Sequence, residues 1–164
     1  MQDIQLKAAT SIDLGTISEL AKTIWNKHYP AIITQAQIDY MLNLMYSQES
    51  LATQIDQKKH QFYLIQNNEI NYGFISVNKA NENNWFLNKF YIDQTIANKG
   101  IGKSAYVQLL EIIKPEKISL TVNRKNFKSI NFYFKLGFKI EQVADFDIGN
   151  GYEMNDFVMV WQKV

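Results

Sequence analysis

The stretch Asn98-Lys99-Gly100-Ile101-Gly102-Lys103-Ser104 lies between a run typical of a β-strand, residues 85–93, and a run with helical spacing, residues 100–113. Two glycines at such a junction let backbone N–H groups approach an anion, and the helix N-terminus adds about half a positive charge. Lys99 and Lys103 add side-chain charge. The stretch therefore predicts a phosphate-binding loop, although a plain tight turn would need glycines as well.

The elements around this loop follow from hydrophobic spacing and turn residues. Upstream, we predict a strand over 5–9, helices after Asp13 and after the capping box Thr34-Gln35-Ala36-Gln37, a helical stretch over 49–58, and strands over 61–66, 70–78 and 85–93. Downstream, we predict a helix over 100–113, a strand over 117–123, a helix over 126–136 closed by Gly137, and strands over 138–146 and 153–162. This order is typical of a mixed α/β (α+β) sheet with helices on both faces.

The run over 85–93 does not alternate cleanly. Leu87 is apolar, Asn88 and Lys89 are polar, and then Phe90 and Ile92 are apolar, so the pattern slips by one residue. A β-bulge inserts one residue and produces such a slip. We therefore expect a bulge in this strand.

Composition bounds the function. With 164 residues and 46% hydrophobic content, the chain fits one domain, residues 1–164. The net charge of +1 gives no general attraction to nucleic acid or anionic membranes. The absence of cysteine excludes thiolate nucleophiles and Cys-ligated zinc, and His28 and His60 are too far apart in sequence to suggest a metal site. With no apolar leader or 18-residue apolar run, we expect a cytoplasmic protein.

A nucleotide-binding alternative arises because residues 97–104 read A-x-x-x-x-G-K-S, one residue from the G-x-x-x-x-G-K-[ST] loop. Such a domain needs an acid after a later strand to hold magnesium, whereas the strand over 117–123 ends in Asn123. The elements after Ser104 are also too few for the remaining βα units. An NTP-binding domain therefore stays the weaker alternative.

The sequence contains four short motifs in this order: Leu87-x-x-Phe90-Tyr91-Ile92, Asn98-x-Gly100-Ile101-Gly102-Lys103, Leu120-x-Val122-Asn123 followed by Asn126, and Phe132-Tyr133-x-x-Leu136-Gly137-Phe138. Together they resemble the pattern of GNAT N-acetyltransferases. The resemblance implies a mostly antiparallel seven-stranded sheet with a bulged, splayed central strand. One position departs from the family, because Ala97 stands where Gln or Arg is usual, and one contact to the cofactor is therefore missing.

The resemblance also implies how an acetyl group would move from acetyl-CoA to a primary amine. Backbone groups of Phe90, Tyr91 and Ile92 pair with the pantetheine amides, and the Ile92 N–H stabilises the oxyanion. The loop residues that hold the pyrophosphate are Asn98, Lys99, Gly100, Ile101, Gly102, Lys103 and Ser104. Tyr133 protonates the leaving thiolate, unless it only packs beside Phe132 and Phe134. Asn126 contacts the cofactor or caps its helix.

No base is assigned, because residues 85–92 contain no Glu, which leaves Asn88, Tyr91 or a water relay. Three segments are similar to polyamine acetyltransferases of the PaiA type: 25–32, 40–46 and 148–156. Acceptor contacts in this superfamily usually come from the first two helices and the last hairpin, which implies Trp25, Tyr29, Tyr40 and Tyr152 as candidates. The acids near the last turn either line a cation site or form a solvated loop; they are Asp145, Asp147, Glu153 and Asp156.

Two further expectations concern catalytic activity and oligomeric state. A catalytically silent acyl-CoA-binding regulator on the same scaffold remains an alternative to an enzyme. A homodimer is possible through an exposed last strand, residues 157–161.

Overall fold

The computed structural model describes residues 4–96 and 100–164. Its strands are β1 (Gln5–Ala8), β2 (Gln61–Asn67), β3 (Ile70–Lys79), β4 (Asn84–Ile92), β5 (Lys117–Asn123), β6 (Lys139–Gly149) and β7 (Tyr152–Gln162). Its α-helices are α1 (Leu14–His28), α2 (Gln35–Tyr46), α3 (Gln48–Asp56), α4 (Ile101–Ile113) and α5 (Phe127–Lys135). The described strands form one seven-stranded sheet in the order β1-β2-β3-β4-β5-β7-β6. The predicted element order is confirmed.

The chain divides into two compact units. The first contains Met1–Asn78 and Lys89–Ile113, and the second contains Lys79–Asn88 and Lys114–Val164. Strand β4 therefore gives its first half to the second unit and its last residues to the first. In neither described unit is a helix long and apolar enough to cross a membrane.

In the first unit, β1, β2 and β3 form an antiparallel meander. The β2–β3 turn places Asn68 at φ 50°, a left-handed conformation that asparagine tolerates well. Helix α2 begins at the predicted cap, where the Thr34 hydroxyl accepts a hydrogen bond from Gln37 N at 3.2 Å. The core of this unit is apolar and closely packed; its fully buried members include Ile17, Ile38, Leu51, Phe74 and Ile75.

In the second unit, β7 pairs antiparallel with both β5 and β6. The expectation that residues 157–161 form an exposed strand is wrong, because these residues lie between two partner strands and β6 takes the edge. Gly137 follows α5 at φ 94°, as the C′ position requires. Asn150 and Gly151 form the two-residue β6–β7 turn, with φ of 53° and 77°.

Strand β4 has two different parts. Residues 84–86 pair in parallel with 117–119 of β5, within the second unit. Every second residue of β4 is buried from Trp85 through Leu87 to Lys89. The strand therefore keeps its phase up to Lys89, which is a polar residue on the buried face. The alternation stops after Lys89, and the bulge stays a prediction.

Candidate active site

The start of α4 carries the predicted phosphate loop. Gly100 precedes the helix at φ 101°, and its carbonyl accepts the first-turn hydrogen bond from Ser104 N at 3.0 Å. Apart from its chain neighbours, no atom of the described residues lies within 4 Å of a Cβ added at Gly100. The N–H groups of Gly102 and Lys103, in the first turn, have no acceptor within the helix. This open helix end therefore suits a pyrophosphate.

The other residues of the loop differ in position. Ile101 is buried, Lys103 is exposed and Ser104 is half-buried. Ala97, Asn98 and Lys99 lie outside the described residues. The described part of the loop thus offers backbone donors and one solvent-facing lysine.

The last three residues of β4, Phe90, Tyr91 and Ile92, are all half-buried. The next residue, Asp93, donates its N–H to Tyr72 O of β3 at 2.7 Å. The end of β4 is therefore held against β3 while all three residues keep partial access to solvent. This is the arrangement that a main-chain contact to a ligand needs.

Asp93 fixes the turn after β4. Its carboxylate accepts hydrogen bonds from Thr95 N at 2.9 Å and Thr95 Oγ1 at 2.7 Å, and lies 3.4 Å from Lys27 Nζ. Burial by itself raises the pKa of Asp93, but the Thr95 hydrogen bonds and the Lys27 charge together lower it below its ordinary value. The ionised carboxylate ties α1 to the end of β4.

An aromatic cluster surrounds Tyr91. Its ring lies 5.8 Å from Trp25, 6.4 Å from Tyr46 and 5.7 Å from Phe74, measured between centroids. Trp25 in turn stacks on Tyr29 at 4.2 Å. Trp25 and Tyr46 are buried, whereas Tyr29 and Tyr91 are half-buried. The structure thus brings together two of the predicted acceptor residues, Trp25 and Tyr29, with Tyr91.

Lys89 is a buried residue that sequence reasoning did not single out as such. Its Nζ donates to Gln54 Oε1 at 2.7 Å and lies 5.5 Å from the Tyr46 ring and 5.6 Å from the Phe62 ring. Burial, together with the smaller effect of the Lys58 charge, lowers the pKa of Lys89 to about 8. The sequence signal was a lysine in phase with the apolar residues Trp85 and Leu87.

In the second unit, Tyr133 is a buried residue of α5. Its ring lies 5.6 Å from Phe132 and 5.4 Å from Phe138. Asn126 is also buried, and its Oδ1 accepts a hydrogen bond from Ser129 N at 3.2 Å as the N-cap of α5. Tyr133 therefore packs through its ring, and Asn126 caps α5 through its side-chain oxygen. Packing does not use the Tyr133 hydroxyl, and capping does not use the Asn126 amide N–H groups.

Tyr40 and Tyr152, the other two predicted acceptor residues, are both half-buried. Tyr40 lies on α2, six residues before Tyr46 in the sequence, and Tyr152 begins β7 opposite Gly149. Tyr40 therefore belongs to an early helix and Tyr152 to the last hairpin, and their contact with the acceptor stays a prediction.

The acids of the last hairpin do not behave alike. Asp145 forms a salt bridge with Arg124, whose Nη2 lies 2.7 Å from Asp145 Oδ1. Asp147 and Glu153 are exposed. Asp156 is fully buried, and neither of its carboxylate oxygens makes a hydrogen bond to a described residue. Burial raises the pKa of Asp156 to about 6 against the smaller opposite effects of Thr121 and Arg124.

The two histidines have different surroundings. His28 packs edge-on against Tyr29 at 4.9 Å, and burial together with the charges of Lys89 and Lys58 lowers the pKa of His60 to about 4. Over residues 4–96 and 100–164, no three His, Asp or Glu side chains are grouped as metal ligands would be.

Comparison with known proteins finds relatives that match almost the whole chain. Spermidine N(1)-acetyltransferase of Thermoplasma acidophilum is 28% identical over 159 residues, which cover 92% of this chain and 98% of the relative. The crystal structure of PaiA N-acetyltransferase from the same organism, in complex with coenzyme A, matches with a TM-score of 0.81 and 27% identity over 98% of this chain and 99% of that one. A GCN5-related N-acetyltransferase structure from Rhodopseudomonas palustris, at 12% identity and a TM-score of 0.79 over 99% and 98% of the two chains, shares the fold.

The family itself follows from a match along the chain. The model of the acetyltransferase (GNAT) family matches residues 22–138, which contain the phosphate loop, the end of β4, the aromatic cluster and Tyr133. Since this match covers well over half of the sequence, the chain belongs to the acetyltransferase (GNAT) family.

Proposed function

We propose that this acetyltransferase transfers the acetyl group of acetyl-CoA to a primary amine of a polyamine, with spermidine as the first candidate. The observation that carries the proposal is the relationship to spermidine N(1)-acetyltransferase, which extends over almost the full length of both chains. The half-buried rings of Tyr29 and Tyr91 add support, because both contact Trp25 and the face of an aromatic ring attracts cations.

Acetyl-CoA would be held mainly by main-chain groups. The open first turn of α4, from Gly100 to Ser104, offers N–H groups to the pyrophosphate, with Lys103 as a nearby charge and Asn98 and Lys99 completing the loop. Phe90, Tyr91 and Ile92 offer backbone groups to the pantetheine amides, in the manner of an added strand. Because these contacts need no particular side chain, Ala97 in place of a larger polar residue reduces affinity without abolishing binding.

Catalysis asks three things of the protein. The Ile92 N–H donates a hydrogen bond to the acetyl oxygen as negative charge develops there. Tyr133 gives its phenolic proton to the departing CoA sulfur, and Asn126 contacts the cofactor at the start of the same helix. The acceptor amine has to be neutral to attack, so a proton must leave it through a water relay or a nearby side chain. Since the chain has no cysteine for a covalent intermediate, the transfer is direct, within a ternary complex.

The acceptor would lie along the aromatic cluster. The half-buried faces of Tyr29 and Tyr91 can contact an alkylammonium group, because the ring face attracts cations. Trp25 is almost fully buried and acts through its stacking on Tyr29. Tyr40 and Tyr152 belong to the same proposal as further contacts from α2 and the last hairpin.

An acceptor screen that measures CoA release tests the proposal, with spermidine, spermine, amino acids, an aminoglycoside and a peptide as acceptors. We expect the highest kcat/KM for a polyamine. Turnover only with another acceptor class would overturn the polyamine assignment. Binding of acetyl-CoA without release of CoA to any amine would indicate the silent regulator, and thermal stabilisation by ATP with magnesium but not by acetyl-CoA would indicate the nucleotide-binding alternative.

A variant pair tests the aromatic cluster. Tyr29→Leu should raise the KM for the polyamine by about 2- to 30-fold, the range that a cation–π contact provides, with the KM for acetyl-CoA unchanged. Phe146→Leu is the matched control, because it also removes a ring that is partly exposed, in β6. Equal effects of the two substitutions would contradict the assignment.

A further inference from the structure

Gly73 of β3 makes an unusually close backbone approach to β4. A Cβ built on Gly73 overlaps the Tyr91 carbonyl oxygen, and it lies 2.9 Å from both the Tyr91 carbonyl carbon and the Ile92 Cα. All three are backbone atoms, which cannot turn aside as the end of a side chain can. A side chain at position 73 would therefore displace the Tyr91–Ile92 peptide or separate the strands.

The approach also fixes the direction of that peptide. Of the atoms near the missing side chain, the Tyr91 oxygen is nearer than the carbon to which it is bonded, so the C=O points into the space above Gly73. The described peptide bonds are all trans, and in a planar trans peptide the N–H points opposite to the C=O. The Ile92 N–H is therefore turned away from the face on which a side chain of Gly73 would stand.

The opposite face of the sheet carries the aromatic cluster. Side chains alternate along a strand, so Phe74 lies on the face opposite to that of a residue-73 side chain. The Phe74 ring contacts Tyr91 at 5.7 Å and Tyr46 at 6.0 Å. The Ile92 N–H thus leans toward the face that holds the rings proposed to contact the acceptor.

The flanking residues leave this peptide little freedom to adjust. On one side, the Tyr91 ring is packed against Phe74 and Trp25. On the other side, Asp93 N is bonded to Tyr72 O at 2.7 Å, and the Asp93 carboxylate is bonded to Thr95. An added methyl group at position 73 would therefore act mostly on the orientation of the Tyr91–Ile92 peptide.

We propose that Gly73 is a positioning residue for acetyl transfer, because its missing side chain allows the tilt that aims the Ile92 N–H at the acetyl oxygen. The inference rests on the proposed function, in which the Ile92 N–H is the oxyanion donor. It predicts that a methyl group at position 73 impairs turnover far more than it weakens the binding of CoA, which lacks the acetyl oxygen.

The test compares Gly73→Ala with wild type and with Gly15→Ala, the same substitution in α1, where the added methyl group meets only Gln48 Nε2 at 3.7 Å. We expect Gly73→Ala to lower kcat by up to about 10²- to 10³-fold, as loss of one oxyanion donor does, with a much smaller effect on the Kd for CoA. Infrared spectra of bound acetyl-CoA, labelled with ¹³C at the thioester carbonyl, supply a second readout. In wild type and Gly15→Ala the carbonyl band should shift to lower frequency on binding, and in Gly73→Ala this shift should be lost.

The infrared and kinetic results distinguish a failure of the Ile92 donor from a failure of the Gly73 inference. If wild type shows no shift of the carbonyl band, the Ile92 donor fails, and the Gly73 inference fails with it. If wild type shows the shift and Gly73→Ala keeps both the shift and its kcat, only the Gly73 inference is overturned. If Gly73→Ala does not fold, judged by the absence of a cooperative thermal unfolding transition, a role confined to orienting one peptide is also overturned.

Discussion

Lys89 Nζ donates a 2.7 Å hydrogen bond to Gln54 Oε1 inside the first unit, where both residues are buried. Gln54 is itself fixed, because its amide nitrogen donates to Met45 O at 2.7 Å. The ammonium group is therefore held by one neutral acceptor and by the faces of Tyr46 and Phe62. Lys89 is the one polar residue on the buried face of β4. Burial of its charge lowers the stability of the folded protein.

Replacement of Lys89 by Met should change how stability depends on pH. Because the pKa of Lys89 is about 8 in the folded protein and 10.5 as an ordinary value, folding disfavours the charged form. This penalty is fully present below pH 8 and is relieved as the pH rises toward 10.5. The free energy of unfolding of wild type, relative to Lys89→Met, should therefore rise by up to about 3 kcal/mol over this range.

Urea unfolding of wild type and Lys89→Met between pH 7 and 10.5 measures this difference in the free energy of unfolding. The contributions of the other titrating groups are the same in both proteins and therefore cancel. Lys22→Met, at an exposed lysine of α1, is the control for the loss of one charge. A difference between wild type and Lys89→Met that is constant over the range would show that Lys89 is well solvated.

Asp156→Asn should stabilise the protein at high pH. Burial raises the pKa of Asp156 to about 6 from an ordinary 3.8, so folding favours the protonated acid. The favourable contribution is present at low pH and is lost as the pH rises through 6. At pH 8 the variant should exceed wild type by up to about 3 kcal/mol in the free energy of unfolding, with the difference closing by pH 4. A less stable variant at pH 8 would indicate that the carboxylate has a strong partner.

Most of the fold could be predicted because its signals are local. Gly137, predicted to close a helix, has the left-handed backbone that this position requires. The family and the acetyl-CoA-dependent N-acetyltransferase activity are confirmed by the match over residues 22–138 and by the relatives. The exposed position expected for residues 157–161 was wrong, because the order of strands in a sheet depends on non-local pairing that sequence periodicity does not encode.

The site was only partly predictable, for a similar reason. The phosphate loop is a contiguous motif, and Trp25 and Tyr29 share one turn of helix, so sequence reasoning could group them. The role of Gly73 could not be predicted from the sequence, because it depends on the close approach of the β4 backbone, which only the structure reveals. The burial of Lys89 could not be predicted, since polarity alone does not report burial, and the bulge in β4 stays a prediction.

Gly102→Val should block acetyl-CoA binding. A branched side chain in the first turn of α4 would occupy the space that the pyrophosphate needs and shield the N–H groups of that turn. Isothermal titration with acetyl-CoA measures the effect, and Gly15→Val, at a glycine in the first turn of α1, is the matched control. A folded Gly102→Val protein with unchanged affinity would place the pyrophosphate elsewhere.

Tyr133→Phe separates catalysis from packing, because it removes one hydroxyl and keeps the ring that packs against Phe132 and Phe138. General acid catalysis typically contributes about 10²- to 10⁴-fold in rate, so kcat should fall within that range while Kd for acetyl-CoA stays the same. Tyr63→Phe is the control, since it removes a hydroxyl that donates to Gln61 at 3.0 Å in β2. Single-turnover rates are the right measurement, because they report the chemical step rather than product release. If Tyr133→Phe matches wild type in these rates, Tyr133 serves packing alone and water protonates the CoA thiolate.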